Sequence, residues 1–223
     1  MVRSKSIIVS SDASGACDAV LRGMLVMIID VIDMSTTLES ALDAGAYAVL
    51  GASPDFTRAP VDVSPEQRGR EAAILAREAG TGIIIATEPR VGSNEERVAR
   101  CQRLIKGIEK EQGVIEAVIT NLGAETPKLV DLNNRVVVAV SDTGGVAYDA
   151  AITAGGRAVI GTVARTYKQK GIQPSLTAVR RALQELKDSD TGIALVAASR
   201  NSMEDILAAQ FIANMLIQGN SLK

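Results

Sequence analysis

Short apolar runs separated by polar and glycine-containing segments recur along the whole chain. Continuous runs rich in β-branched residues are typical of strands that are buried on both faces of a parallel sheet. We predict strands of this kind at residues 25–29 and 136–140, and further strands at residues 7–9, 46–50, 82–86, 117–119, 157–160 and 192–197.

The segments between the runs predict helices, and several carry boundary signals. Gly45 and Gly155 follow helical segments at the position where glycine commonly ends a helix. Three pairs of residues predict capping boxes: Ser64 with Gln67, Ser93 with Glu96, and Thr36 with Glu39. Later helices are expected near residues 65–79, 94–108, 175–188 and 202–217. The alternation of strands and helices predicts an α/β fold with parallel or mixed sheets covered by helices.

The chain repeats itself with an offset of 110 residues. Under this shift Gly45 falls on Gly155, and residues 81–83 fall on residues 191–193. One offset that aligns several separate segments indicates an internal duplication. We therefore expect two similar α/β subdomains, intertwined or abutting: residues 1–112 and residues 113–223.

The absence of histidine narrows the chemistry that is open to the chain. It excludes Ser-His-Asp triads, Cys-His dyads and histidine-ligated metal sites. A bound metal would be a hard cation held by carboxylate, hydroxyl and backbone oxygens, and we expect Mg²⁺.

Charge and hydropathy exclude other classes of partner. The net charge is −2 and no long basic segment occurs, so we expect no nucleic-acid binding. No stretch approaches the ~18 apolar residues of a membrane span, and no signal peptide is recognisable, so we expect a cytoplasmic protein without membrane contacts. Cys17 and Cys101 lack metal-binding or redox spacing and are interpreted as buried apolar residues.

Candidate chemistry follows the second strand of the first repeat. Ligands of open α/β sheets bind beyond the carboxyl ends of the strands. This edge offers two carboxylates and three hydroxyls at a helix start: Asp30, Asp33, Ser35, Thr36 and Thr37. We predict that the carboxylates bind Mg²⁺, and that the hydroxyls and the helix N-terminus bind a phosphate. The alternative is an ordinary helix cap with solvated acids.

The second repeat offers similar groups at its matching edge: Ser141, Asp142, Thr143, Gly144 and Gly145. Asp142 is a further metal or base candidate, and the hydroxyls and glycines are predicted to contact the phosphate. The alternative is an ordinary strand-to-helix turn. Because the two loops differ in sequence, we expect one principal site per chain, with residues 30–37 as its main part. Weaker candidates lie at residues 87–90 and 121–123, and at Arg165, Lys168 and Lys170.

The two loops resemble the motifs of the 2-phosphosulfolactate phosphatase (ComB-like) family. The first family motif is an apolar strand followed by Asp-Val-Leu-Arg-Ala-Ser/Thr-Ser/Thr-Thr, and residues 26–37 with the turn at 44–46 are similar to it. The second, Thr-Thr-Asn-Gly-Thr-Arg-Ala, is similar to residues 141–147, and residues 126–127 resemble a preceding threonine-proline. The resemblance implies a ComB-like duplicated α/β fold and a Mg²⁺-assisted, phosphatase-like activity toward a small anionic phosphoester.

Two arginines of the family motifs are replaced, by Asp33 and Val146. Arginine is a natural partner of an anionic substrate, so the substrate is expected to differ from that of the family. Asp30, Asp33 and Asp142 are the candidate metal ligands or base. The competing expectation is a catalytically silent relative that binds a small anion or nucleotide as a regulator or scaffold. A homodimer is left open.

A second phosphatase resemblance is weaker. Asp30-x-x-Asp33 is similar to the Asp-x-Asp loop of haloacid dehalogenase-like phosphatases, but the spacing differs by one residue. The internal duplication also does not fit that fold.

Overall fold

The computed structural model describes residues 5–219. Strands and helices alternate along these residues. The strands are β1 Ser6–Ser11, β2 Leu25–Ile29, β3 Ala48–Ala52, β4 Ile83–Thr87, β5 Ile115–Thr120, β6 Val136–Val140, β7 Ala158–Gly161 and β8 Gly192–Ala197. The helices are α1 Asp12–Leu21, α2 Met34–Asp43, α3 Pro65–Ala79, α4 Asn94–Ala99, α5 Gln102–Lys110, α6 Gly144–Thr153, α7 Gln173–Glu185 and α8 Met203–Gln218, with a 3₁₀ helix at Gly123–Lys128.

The strands form two four-stranded sheets, and every pairing is parallel. The order is β1-β8-β2-β7 in sheet A and β3-β6-β4-β5 in sheet B. Each sheet takes two strands from residues before 112 and two from residues after it. Exchanging each strand for its counterpart in the other repeat turns one order into the other. The strand order thus has the internal symmetry expected of a duplication, with the two repeats interleaved.

The helices form three layers around the two sheets. α2 and α6 lie between the sheets, where α2 contacts β3, β6 and β7 and α6 contacts β2, β3 and β7. α1 packs against α6 and against sheet A. α3, with α5 packed against it, covers the other face of sheet B, and α7 and α8 cover the other face of sheet A. Because α2 and α6 are enclosed on both sides, residues 34–41 and 144–151 are buried without exception.

The predicted strands are all present. β2 and β6 are buried at every position, as predicted for strands covered on both faces, and so is β4. The predicted helix at 94–108 is wrong in its continuity, because it is divided into α4 and α5. The carboxylate of Asp55, in the loop after β3, accepts hydrogen bonds from the backbone N–H groups of Gln102 and Arg103 at 2.6 and 2.9 Å. This distant carboxylate caps α5 and explains why the helix restarts there.

The predicted helix boundaries had mixed outcomes. Gly45 and Gly155 end α2 and α6 with left-handed φ angles of 96° and 84°, which glycine adopts without steric strain. Ser93 forms its predicted capping box. The box at Ser64 is wrong, because that side chain makes no capping hydrogen bond. The box at Thr36 is also wrong, because Thr36 lies inside α2. Within residues 5–219, no helix combines the length and the apolar character needed to cross a membrane.

Candidate functional site

The carboxyl ends of both sheets lie at one end of the molecule. α2 connects β2 of sheet A to β3 of sheet B. Because α2 runs back along the length of the sheets, β2 and β3 run in the same direction, and so do the parallel strands of the two sheets. Asp30 follows β2, Gly144 begins α6 after β6, and the two are joined by a hydrogen bond. Groups from both repeats therefore meet at the edge where ligands of parallel sheets bind.

Polar residues follow the four strands of sheet B in register. The strands end level with one another at Ala52, Val140, Thr87 and Thr120. The residues that come next are, in sheet order, Ser53, Ser141, Glu88 and Asn121. Side chains in register share one face of a sheet, and Asn121 and Ser141 contact Thr37 and Asp30, respectively, on the side of the central helices. Glu88 therefore lies between Ser141 and Asn121 on this inner face.

The matching row of sheet A is less polar. It reads Asp12, Ala198, Asp30 and Thr162, following β1, β8, β2 and β7. Under the repeat offset, Ala198 is the counterpart of Glu88. Glu88 is thus an ionisable residue at a position that is apolar in the other repeat.

Asp30 is buried between the N-termini of α2 and α6, the two helices that are enclosed between the sheets. Its carboxylate accepts hydrogen bonds from the N–H of Asp33 at 3.1 Å, the N–H of Gly144 at 2.9 Å and the hydroxyl of Thr143 at 3.2 Å. Burial, with the nearby charge of Asp33, raises the pKa of Asp30, and the backbone N–H groups of Asp33, Met34 and Gly144 oppose the shift. Asp30 therefore acts as a shared cap for α2 and α6, but it is buried and not solvated.

The two predicted metal ligands do not fit Mg²⁺ as they are arranged. Asp30 is 2% exposed and its oxygens already accept hydrogen bonds from the protein. The carboxylate of Asp33 is paired with the guanidinium of Arg90. Among residues 5–219, no group of three or more acidic or thiol side chains is placed to hold a metal ion. The Mg²⁺ requirement stays a prediction of the family resemblance.

The hydroxyls predicted to hold phosphate in the first repeat are engaged within the fold. Ser35 donates to the carbonyl oxygen of Ile28 at 2.9 Å. Thr36 contacts the hydroxyl of Thr162 at 2.8 Å, and Thr37 donates to the side-chain oxygen of Asn121. All three hydroxyl residues are buried, so phosphate binding by them would require these contacts to be exchanged.

Gly144 and Gly145, in the loop of the second repeat, lie very close to Asp30 and to β3. A side chain added at Gly144 would meet Asp30 Oδ2 at 2.2 Å, and one added at Gly145 would meet the backbone oxygen of Ala52 at 2.1 Å. The hydroxyl of Ser141 accepts a hydrogen bond from the N–H of Gly145 at 2.8 Å. The two glycines therefore let α6 begin directly against Asp30 and β3.

Two arginine–aspartate pairs flank Glu88. Arg90 pairs with Asp33, and Arg100 pairs with Asp142 at 2.5 Å. Burial, together with the charges of Asp33 and Asp142, raises the pKa of Glu88 to about 7, and Arg100 and Arg90 oppose the shift. Arg90 thus brings a guanidinium to Asp33. Val146 is buried, and it lines the same cavity as Arg58.

An open cavity of roughly 370 Å³ lies beside Asp142 and Thr143. Its other polar lining residues are Asp12, Thr57, Arg58 and Ser199, and Phe56 forms part of its wall. Arg58 is exposed and makes no ion pair with any residue of the described part of the chain. Residues 30–37 do not line this cavity, which lies instead beside the loop of the second repeat.

The weaker sequence candidates had different outcomes. Glu88 and Arg90, in the segment 87–90, join the central cluster. Asn121 lies beside Glu88, and its side-chain nitrogen has no hydrogen-bond partner among residues 5–219. Arg165 instead pairs with Glu125, and the backbone N–H of Lys168 donates to Asp43.

Sequence reasoning missed Arg58, Arg100, Asp12 and Ser199. They follow strands or lie in loops, but none belongs to a motif, and only the sheet order brings them together. A polar residue directly after a parallel strand was the signal available in the sequence for Asp12, whereas Ser199 lies one residue further from its strand.

Comparison with known proteins adds no family to this description. No model of a known protein family matches this chain, and no curated protein matches it in sequence.

Proposed function

We propose that this protein is a phosphatase-like hydrolase that acts on a small anionic phosphoester, related to the 2-phosphosulfolactate phosphatases. The observation that carries the proposal is the position of Glu88 between the pairs Asp33–Arg90 and Asp142–Arg100. With a pKa of about 7, the Glu88 carboxyl is present in both protonation states near neutral pH. A group of this kind can both accept and donate a proton during turnover.

Glu88 is assigned the acid–base role. Its carboxylate accepts a proton from a water molecule as the water oxygen bonds to phosphorus. The ester P–O bond breaks on the opposite side of phosphorus, where the leaving oxygen takes a proton from solvent, and the Glu88 carboxyl then returns its proton to solvent. One water is consumed, and an alcohol and inorganic phosphate are formed.

Arg90 and Arg100 are assigned to the phosphate. Both are partly exposed, and exposed ion pairs contribute only ~1 kcal/mol or less. Arginine binds phosphate through two parallel hydrogen bonds, which are stronger than ordinary ones. A phosphate can therefore displace Asp33 and Asp142 from the two guanidinium groups. No step of this scheme depends on Mg²⁺, which we retain as a predicted activator.

A catalytically silent anion-binding protein is the second candidate. It is favoured by the internal engagement of the hydroxyls of Ser35, Thr36 and Thr37. Thermal unfolding with phosphate, with and without Mg²⁺, separates the two. Stabilisation by phosphate alone, without turnover of any phosphomonoester, favours the silent binder. Turnover that is lost in Glu88→Gln supports the enzyme.

A further inference from the structure

The outer side of α8 carries a row of exposed apolar side chains. Met203, Leu207 and Phe211 recur every four residues and are 65%, 55% and 44% exposed. This spacing places them on one side of the helix. Apart from Glu204 at its edge, the exposed residues of that side are uncharged, and we call the uncharged set the α8 face: Met203, Leu207, Gln210, Phe211, Asn214, Ile217 and Gln218.

The apolar surface continues onto the neighbouring strand. α8 packs on β1, which is an edge strand of sheet A. Ile7 of β1 packs into the core under α8, and Val9, two residues later on the same side of the strand, is 43% exposed. The exposed apolar area therefore spans a helix and the edge of a sheet.

The equivalent helix of the other repeat has the opposite character. α5 follows β4 as α8 follows β8, and it lies in the corresponding outer layer. Its exposed residues are mostly charged: Gln102, Arg103, Lys106, Glu109 and Lys110. A helix in this outer layer can therefore carry charged residues on its exposed side, and the apolar α8 face is not required by the architecture.

We propose that the α8 face is the contact surface between two copies of this chain, related by a twofold axis. A twofold axis brings a surface against itself. The α8 face carries no charge, so two copies can meet without repulsion between like charges. This proposal is independent of the proposed function.

Charges at the two ends of the α8 face favour an antiparallel arrangement. Glu204 is exposed at the N-terminal end of α8. Lys187 is exposed in the loop before β8, at the end of sheet A where α8 finishes. Antiparallel copies of α8 therefore place Glu204 near Lys187 of the partner subunit, and the reverse contact forms on the other side of the axis.

The size of the surface indicates a dimer that dissociates on dilution. A helix of 16 residues is ~24 Å long, and helices pack ~10 Å apart, so α8 covers on the order of 240 Å² in projection. Stable interfaces bury about 800 Å² of each partner. The edge of β1 adds to the area, but the total lies at the small end, where association is transient.

Sedimentation velocity on the full chain tests the proposal. We expect a monomer at about 1 µM and a dimer at about 200 µM, because association follows mass action. Leu207→Glu places a carboxylate in the apolar part of the contact and should leave only monomer at both concentrations. Val114→Glu is the matched control, since Val114 is 63% exposed and lies before β5 in the other sheet; it should dimerise as the unaltered protein does.

A cross-linking measurement guards against an indirect effect of the glutamate. Gln210 lies near the middle of the α8 face, so Gln210→Cys should give a disulfide-linked dimer on mild oxidation, whereas Val114→Cys should not. A monomer at every concentration would overturn the proposal. So would a dimer that persists in Leu207→Glu, or a series of larger oligomers instead of a closed dimer.

Discussion

The carboxylate of Asp30 accepts a hydrogen bond from the backbone N–H of Gly144 at 2.9 Å. Asp30 ends a strand of the first repeat, and Gly144 begins a central helix of the second. The bond therefore joins the two repeats at the end of the molecule where ligands of parallel sheets bind. The same carboxylate accepts from the N–H of Asp33 at the start of α2, so one buried acid serves both central helices.

Removing the Asp30 carboxylate should destabilise the fold more than removing an exposed acid of the same cluster. Asp30→Ala leaves the buried N–H of Gly144 and the partly buried donors of Asp33 and Thr143 without an acceptor, and a buried donor without a partner costs about 1–3 kcal/mol. We expect a loss of about 3 kcal/mol or more in the free energy of unfolding, measured with urea. Asp142→Ala is the control and should lose about 1 kcal/mol or less, because its pair with Arg100 is exposed. Equal losses would contradict the capping role.

The close approach of α6 to β3 should make Gly145 sensitive to a single methyl group. In Gly145→Ala the added carbon would meet the backbone oxygen of Ala52 at 2.1 Å, and backbone cannot move aside. We expect about 1–3 kcal/mol of destabilisation, as for overpacked cores. In Gly82→Ala the three nearest atoms all belong to the side chain of Glu116, which can move more readily than backbone although it is paired with Arg135. Thermal unfolding of the two variants should therefore differ clearly, and a stable Gly145→Ala would show that the contact is not tight.

The pH dependence of the free energy of unfolding should reflect the protonation of the Asp205 carboxyl. Its side chain is buried and accepts a hydrogen bond from the N–H of Val31 at 2.8 Å. Burial, with the charges of Asp30 and Glu204, raises the pKa of Asp205 to about 7, and the N–H groups of Val31 and Ser199 oppose the shift. Between the ordinary pKa of 3.8 and about 7, the folded state therefore holds a proton that the unfolded state has released. Linkage then requires stability to fall as the pH rises through this window.

Asp205→Asn isolates this contribution, since the amide keeps an oxygen acceptor for Val31. The variant should match the unaltered protein in stability near pH 4 and exceed it above pH 7. Urea unfolding across this range gives the difference directly. A difference that does not change with pH would show that Asp205 is ionised in the folded state.

The sequence predicted the elements of the fold better than their joints. β2 and β6 were recognised to the residue, because a short run of buried β-branched residues has few alternative structures. The break between α4 and α5 was missed because its cause is Asp55, which caps α5 from a loop almost fifty residues earlier in the chain. Local helix signals cannot report such a cap.

The sequence also predicted single residues of the candidate site better than the contacts between them. An acid after a buried strand marked Asp30 as unusual, but its partner at Gly144 depends on how the repeats interleave. Glu88 was only a weak candidate, because its neighbours Asp33 and Asp142 follow different strands, β2 and β6. The offset of 110 residues indicates the duplication, yet it does not fix which strands pair.

Turnover of small phosphate monoesters by the unaltered protein and by Glu88→Gln is the most direct test of the proposed function. A panel of such esters would be assayed across pH 5–9, with and without Mg²⁺, and Asp18→Asn, a change in an exposed acid paired with Arg22, serves as the control. We expect the unaltered protein and the control to hydrolyse at least one ester with a pH dependence near the pKa of about 7 of Glu88. Glu88→Gln should be slower by about 100-fold or more and lose that pH dependence. No turnover by the unaltered protein, or equal turnover by Glu88→Gln, would contradict the acid–base role of Glu88.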